Sequence, residues 1–459
     1  MNKDIGKTVE KMRRYFDAGH TLPVASRLAA IRRLEDSIRR HEEDIVSALR
    51  LDLNKSPYES FMTEIGVVLG EIDHIKKNLR RWVKPQRKRI AMSQFPARAK
   101  VMWEPYGVVL IMSPWNYPFN LSIVPLVGAI AAGNCVALKP SAYAPAVSDV
   151  LAAILRDVFP PEFVSVVEGG RAENSALLEQ KFDYIFFTGS PAVGKTVMQK
   201  AAESLTPVTL ELGGKSPVIV ERSADIKKTA RRILFGKLLN SGQTCIAPDY
   251  LLVQDDIKAG LIAEIKTIYA DMLPDREYRA KNFPRIINEK HFSRLQQLLE
   301  GQKILMGADL YPDNLQMGIT LVDEPDLSSL LMQEEIFGPI LPVIGFGAIS
   351  EAIDFIKQRS KPLALYLFTN DAFVEKSVLE NLSFGGGCVN DTIMHLSSPH
   401  LPFGGVGNSG MGNYHGRASF ETFSHAKSIL KKSWHFDLAL RYHPFKAPEK
   451  RLSEWIYRR

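Results

Sequence analysis

Tyr184-Ile185-Phe186-Phe187-Thr188-Gly189-Ser190-Pro191-Ala192-Val193-Gly194-Lys195-Thr196 supports two readings, and the fold turns on which one holds. Residues 184–187 predict a strand, and a helix opens behind them. From Gly189 onward the stretch matches G-x-x-x-x-G-K-T, a loop whose backbone N–H groups cradle phosphates while its lysine reaches them. That reading makes the chain a P-loop nucleotide hydrolase. It also requires a Walker B acid on a neighbouring strand, and Val218-Ile219-Val220-Glu221 is a poor candidate. Read as a plain strand-to-helix turn, the same stretch is one unit of a repeating α/β pattern.

The flanking sequence keeps that rhythm. Residues 107–112, 135–138 and 164–167 read as strands, and residues 145–159 have a helical period with Pro145 in the first turn. The alternation predicts a parallel, doubly wound sheet. Beyond Glu211 it repeats, with strands at 216–220, 250–253, 341–346 and 363–368 and helices at 225–240, 258–269 and 350–358, predicting a second α/β domain. The first hundred residues read as helices: Leu28, Ile31, Leu34 and Ile38 keep helical spacing, and a second amphipathic run covers 59–82. A basic stretch, 84–89, precedes short apolar segments at 90–102 that suit a hairpin arm. Glycine-rich loops crowd 385–412. There Gly405-Val406-Gly407-Asn408-Ser409-Gly410 spells G-x-G-x-x-G, but it follows Pro402 and Phe403 rather than a strand, so it reads as a turn.

A chain of 459 residues is too long for one ordinary domain. It is 45% hydrophobic and 24% charged, a globular mixture. The net charge of +7 is spread in short clusters such as Lys76-Lys77 and Arg80-Arg81, without interleaved aromatics, which argues for a solvated surface and against a nucleic-acid partner. Three cysteines, Cys135, Cys245 and Cys388, give no disulfide framework and suit a reducing cytoplasm. No apolar signal segment opens the chain, and no membrane tail or lipidation motif closes it, so no membrane anchor is expected. Residues 105–138 carry no charge and are long enough to span a bilayer. However, Pro114, Pro118 and Pro125 interrupt them and Asn116, Asn120 and Asn134 are polar, so a buried strand, loop, helix and strand is the expectation.

The strongest chemical signal is Asn240-Ser241-Gly242-Gln243-Thr244-Cys245-Ile246-Ala247-Pro248, in a loop between a helix and a strand. A loop can present a reactive thiol, although most lone cysteines are small buried hydrophobes. Cys135 and Cys388, both in apolar strand-like segments, fit that bland reading. Upstream lies Glu211-Leu212-Gly213-Gly214-Lys215, a carboxylate at a strand end followed by glycines. Six segments in one order, Pro114-Trp115-Asn116-Tyr117-Pro118, Lys139-Pro140-Ser141, Phe187-Thr188-Gly189-Ser190, Glu211 to Lys215, Gly242 to Cys245 and Glu335-Ile336-Phe337-Gly338-Pro339, resemble the aldehyde dehydrogenase superfamily. The short N-terminus and Leu401-Pro402-Phe403-Gly404-Gly405 look most like its class 3 branch, which handles fatty and aromatic aldehydes.

The resemblance implies an α/β fold with a Rossmann-like cofactor domain (1–83 and 104–210), an α/β catalytic domain (211–390) and bridging oligomerisation segments (84–103 and 391–459). It implies NAD(P)+-dependent oxidation of an aldehyde to a carboxylic acid, no metal, and a homodimer. Cys245 would be the nucleophile, Glu211 the base that hydrolyses the thioester, and the Asn116 amide with the Cys245 N–H the oxyanion donors. For NAD or NADP, Lys139 would bind the adenosine ribose and Ser141 would lie beside it. Trp115, Gly189, Ser190 and Gly194 would lie along the pyrophosphate, and Glu335 and Phe337 at the nicotinamide end. Many NAD-preferring members carry a carboxylate three residues after the lysine. Here Ala142 stands there, so NADP would meet no like charge at that position. A cofactor-binding scaffold without catalysis, and a family variant that transfers the acyl group to coenzyme A, are the other readings. Retention of Glu211 favours hydrolysis. The aldehyde's class is left to the loops around Tyr117, His395 and Phe403.

Overall fold

Residues 108–112 and 135–138 are unbroken apolar runs, and every one of these residues is buried. Such runs fit only strands covered on both faces, the condition of a parallel sheet. In the computed structural model, which describes residues 2–273, 275–437, 441–444, 450 and 454, they are the central strands of the first sheet. Its order is Gly410–Met411, Val208–Leu212, Tyr184–Gly189, Val108–Met112, Cys135–Lys139, Val164–Val166, parallel except for the first. The second sheet runs Ile304–Met306, Thr320–Asp323, Ile340–Phe346, Tyr250–Gln254, Pro217–Val220, Ala364–Phe368, Gly386–Val389, again parallel except for its first strand.

The uncharged run contains a buried helix, Asn120–Ala132, that is apolar all round. Gly133, at φ 103, stops it. A Cβ there would lie 2.7 Å from the guanidinium carbon of Arg27, which donates to the carbonyls of Thr21, Leu22 and Ala131. Among the described residues no helix is long and apolar enough to cross a membrane.

The helices differ from expectation in several places: Arg276–Asn282, Glu289–Leu298 and Ala372–Asn381 are not among those read from the sequence, and the helix read over 225–240 ends at Leu238, before Asn240 at φ 52. The spacing predicts a single helix over 59–82, but the structure has a short turn Pro57–Ser60, a π-helical turn Phe61–Ile65 and then Gly66–Trp82. The wider turn brings the Glu64 carboxylate to Lys55 and to the Asn120 N–H, inside the protein. The hairpin arm also starts earlier than its apolar segments suggest. Gln86–Lys88, in the basic stretch, pairs with Ala97–Pro105, and Ser424–Lys432 pairs along the other edge.

The sheets divide the chain after Leu212, so Glu211 lies on a strand of the first sheet rather than opening the second unit. Gly410 pairs with it directly, and the helix Gly416–Thr422 packs on Gly66–Trp82 and Asn120–Ala132. Residues 410–423 therefore fold onto the first sheet and its helices. The G-x-G-x-x-G string is a tight turn there: a Cβ on Gly405 would lie 2.1 Å from the Ser409 carbonyl oxygen. Of the bridging segment expected at 391–459, residues 438–440, 445–449, 451–453 and 455–459 lie outside the described residues.

Candidate active site

The first sheet changes winding direction between Val108–Met112 and Tyr184–Gly189, because the strands that follow the former run outward on opposite sides. In open α/β sheets ligands bind beyond the carboxyl ends of the strands at such a switch point. The residues placed there are Ser113-Pro114-Trp115-Asn116 after one strand and Ser190 after the other. Ser190 caps the helix Pro191–Ala202, its hydroxyl accepting from the Val193 N–H at 3.5 Å. Gly194 is needed for packing, since a Cβ would sit 2.6 Å from a Leu212 methyl. Lys195 is exposed on that helix. A P-loop lysine would point back at the loop, so the phosphate-cradle reading fails.

Cys245 comes from a loop with an unusual backbone. Asn240, Ser241 and Gly242 all have positive φ (52°, 55° and 72°), and a Cβ on Gly242 would lie 2.4 Å from the Gly338 carbonyl oxygen. Only glycine fits at that last position. Buried side chains hold the loop. The Gln243 amide donates to the Asn240 and Arg285 carbonyls (3.0 and 2.9 Å) and accepts from the Ile287 N–H (3.0 Å). Ser241 donates to the Pro284 carbonyl (2.7 Å), and the Thr244 hydroxyl meets Tyr117 Oη at 2.7 Å. The motif around the cysteine is thus a fold specification as much as a chemical one.

Asn116 is fixed from behind. Its carbonyl oxygen accepts from Asn240 Nδ2 (2.7 Å) and from Lys55 Nζ (3.2 Å), and its own Nδ2 donates to the Gln243 carbonyl (3.0 Å). An amide nitrogen has two hydrogens, so one is left to donate elsewhere. Lys55 is wholly buried, paired with Glu64 at 2.6 Å and lying 4.0 Å from the Tyr117 ring centre. Glu59 accepts from the Asn240 N–H at 2.7 Å. Sequence reasoning missed Lys55, Glu59 and Glu64: beside Pro57 and Ser60 they carry no signal that separates them from surface charges.

Two cavities meet at Cys245 and Glu211. One, of about 330 Å³, is lined by Trp115, Asn116, Gly189, Ser190, Glu335 and Phe337, with Gly213, His291 and Arg294. The other, of about 190 Å³, is walled by Tyr117, Leu121, Phe235, Ile393, Phe403 and Tyr414 and is almost wholly apolar. Glu211 is 3% exposed and neither carboxyl oxygen has a hydrogen-bond partner. Burial raises it well above the usual carboxylate range. The Cys245 thiol is likewise pushed up by burial and then by Glu335 and Glu211, while the N–H groups of Cys245 and Ile246 oppose the shift. Glu335 is raised to about 8 by burial and Asp249, with its Oε1 buried and unpartnered.

Three expected residues lie outside these walls. Lys139 is buried at its strand end, donating to the Pro140 and Gly169 carbonyls at 2.6 Å each. Burial lowers its ammonium, and Glu173 and Glu168 partly restore it, so carboxylates do stand near this lysine although position 142 has none. Ser141 accepts from the Tyr143 N–H within its own turn, and Gly194 is covered by Leu212. Tyr117 and Phe403 line the apolar cavity. His395 stands behind it, stacked on Phe403 and 3.5 Å from the Cys388 sulfur. Among the described residues no cluster could hold a metal ion.

The unpartnered Glu335 oxygen in the larger cavity, with the bare Gly213 backbone beside it, fits a dinucleotide: a Cβ on Gly213 would lie 1.9 Å from Glu335 Oε2. Comparison with known proteins agrees. The profile of the Aldehyde dehydrogenase family matches residues 1–429. Aldehyde dehydrogenase family 3 member H1 of Arabidopsis thaliana is 44% identical, over 97% of this chain and 93% of that protein. The dimeric NADP-preferring aldehyde dehydrogenase of Canis lupus familiaris is 42% identical over 96% and 98%. Among solved structures, the substrate-bound state of Staphylococcus Aureus AldH superposes with a TM-score of 0.95, 43% identity and 98% coverage of both chains.

Proposed function

This chain belongs to the aldehyde dehydrogenase family, in its class 3 branch, and from that premise we propose which of its residues perform the NAD(P)+-dependent oxidation of aldehydes to carboxylic acids. The observation that carries the assignment is the position of Cys245 and the unpartnered Glu211 carboxyl between an apolar cavity and a switch-point cavity.

Cys245 is the nucleophile. Its sulfur adds to the aldehyde carbon as the thiol proton passes to solvent water, giving the oxyanion of a thiohemiacetal. The free Asn116 Nδ2 hydrogen and the Cys245 N–H donate to the resulting oxyanion. When bound, NAD(P)+ would supply a cationic ring able to accept the hydride whose departure leaves the acyl group on Cys245 as a thioester. Glu211, once ionised, draws a proton from the water that cleaves it. Burial raises its pKa, the direction expected of a carboxyl that serves as a base in a partly apolar site. Glu335 and Phe337 hold the nicotinamide end, Trp115, Gly189 and Ser190 lie along the pyrophosphate, and Gly194 lets the helix Pro191–Ala202 bring its N-terminus close. Lys139 and Ser141 serve the adenosine ribose, and for this Lys139 exchanges one carbonyl for a ribose hydroxyl. With Ala142 exposed and uncharged, both cofactors are accepted. A hundredfold preference for NAD+ in kcat/KM would overturn that part.

The apolar cavity supports a fatty or aromatic aldehyde as substrate. The domain scheme, expected with a catalytic domain from 211 and bridging segments at 84–103 and 391–459, is proposed with its boundary moved past Leu212 and with residues 410–423 joined to the cofactor domain. We further propose a homodimer. It is supported by the dimeric relative and by exposed apolar side chains on and after the outer strand Ser424–Lys432: Leu430, Trp434 and Phe436. A cytoplasmic location is proposed because the chemistry needs a reduced Cys245, and all three cysteines are free. The activity is tested by following reduced nicotinamide with NAD+ or NADP+ and a panel of aliphatic and aromatic aldehydes. No absorbance change with any pair would overturn the reading, as would oxidation that persists in Cys245→Ser.

A further inference from the structure

The apolar cavity leads on past the residues that face Cys245. Met62, Val67, Leu396 and Ser397 line both it and a neighbouring cavity of about 270 Å³. The wall of this second cavity contains two buried polar side chains, Glu71 (3% exposed) and His415 (4% exposed). Glu71 Oε1 accepts from the Gly416 N–H at 2.6 Å. His415 Nε2 is buried with no hydrogen-bond partner, although such groups are nearly always paired.

The backbone reinforces the point. His415 is held at φ 79 and ψ 133, a conformation that costs any residue with a Cβ. Its N–H is satisfied by Ser419 Oγ at 2.8 Å, and Gly416 follows at φ 53, where a Cβ would lie 2.0 Å from the Pro399 carbonyl oxygen. The outcome is that consecutive side chains enter different chambers, Tyr414 in the channel wall and His415 in the wall beyond it.

We propose that the second cavity is a subsite for a hydroxyl group at the far end of the aldehyde substrate, recognised by His415 and Glu71. The proposal rests on the reading of the apolar cavity as the aldehyde's path to Cys245. A hydroxyl both donates and accepts, which matches a carboxyl oxygen on one side and an imidazole nitrogen on the other. A charged end group would have to shed its water to pass the apolar walls, so a neutral one fits. The pair itself is suited to a neutral ligand: burial pushes the Glu71 carboxyl up to about 7 and the His415 imidazole down to about 4.

The test uses pairs of unbranched aldehydes of equal length, with and without a terminal hydroxyl, over a graded series of lengths. The ratio of kcat/KM within each pair is measured for the wild type, Glu71→Gln and His415→Phe. At the length that spans the two cavities the wild type should favour the hydroxylated partner about tenfold, the value of about 1.4 kcal/mol for one net hydrogen bond. Both variants should bring that ratio close to one, chiefly through KM. If His415→Phe does not fold, Glu71→Gln, which keeps an acceptor for the Gly416 N–H, carries the test. A wild-type ratio near one at every length overturns the subsite, and so does a preference that survives Glu71→Gln. Failure to oxidise the unsubstituted aldehydes would instead refute the channel itself.

Discussion

Replacing Asn116 with alanine separates its chemical role from its structural one, because its neighbours divide between backbone and side chain. Lys55 and Asn240 bond the Asn116 carbonyl oxygen, which alanine keeps. The side chain makes one bond within the protein, to the Gln243 carbonyl, and that carbonyl still receives Asn240 Nδ2 at 3.1 Å. No acceptor is orphaned, so the stability cost should be that of one ordinary hydrogen bond, about 0.5–1.5 kcal/mol. Loss of one oxyanion donor, in contrast, should lower kcat by about 100- to 1000-fold, or about 2.7–4 kcal/mol of transition-state stabilisation. The assay is steady-state oxidation at saturating cofactor, with cofactor affinity measured separately by quenching of protein fluorescence and stability by denaturant unfolding. A fall in kcat below tenfold would refute Asn116 as a donor. A large loss of stability with intact kcat in the remaining folded enzyme would show that its role is structural.

Three further outcomes follow from the buried charges and the strained loop. Lys55→Met strands Glu64 without its cation and should cost about 3–5 kcal/mol in denaturant unfolding; Lys55→Met with Glu64→Gln should recover much of it, and an equally unstable double variant would contradict the pairing. Glu211 has a raised pKa in the folded protein, so its contribution to stability is full below the unfolded value of about 4.3 and is lost as pH rises through the folded one. Glu211→Gln should therefore gain stability over the wild type on going from pH 5 to pH 8, and melting curves that run parallel at both would argue against it. Gly242→Ala should move Cys245 and lower kcat more than tenfold while far-ultraviolet circular dichroism is unchanged; near-normal turnover would show that the loop tolerates a Cβ.

The parallel sheets were legible because strands buried on both faces leave continuous apolar runs, as residues 108–112 and 135–138 do. Cys245 stands out from the other cysteines only through its neighbouring motifs, since a lone cysteine is usually a core residue, as is Cys135, whose thiol burial raises to about 12. What stayed hidden depends on contacts between segments far apart in sequence. Lys55 and Glu64 look like surface charges until the π-helical turn at Phe61–Ile65 brings them under Asn116. Gly410 reads as one glycine in a turn, yet it pairs with Glu211 across the sheet edge. His415 is one histidine among ten, and only the fold shows its nitrogen buried without a partner.

The most direct test of Cys245 as the covalent centre is to mix Glu211→Gln with aldehyde and NAD+ or NADP+, quench in acid, and map the acyl adduct by mass spectrometry. With deacylation slowed, reduced cofactor should appear in a burst that matches the enzyme concentration, and the acyl mass should sit on the peptide that contains Cys245. An acyl group found on Cys135, on Cys388 or on no residue, while the burst persists, would contradict the mechanism.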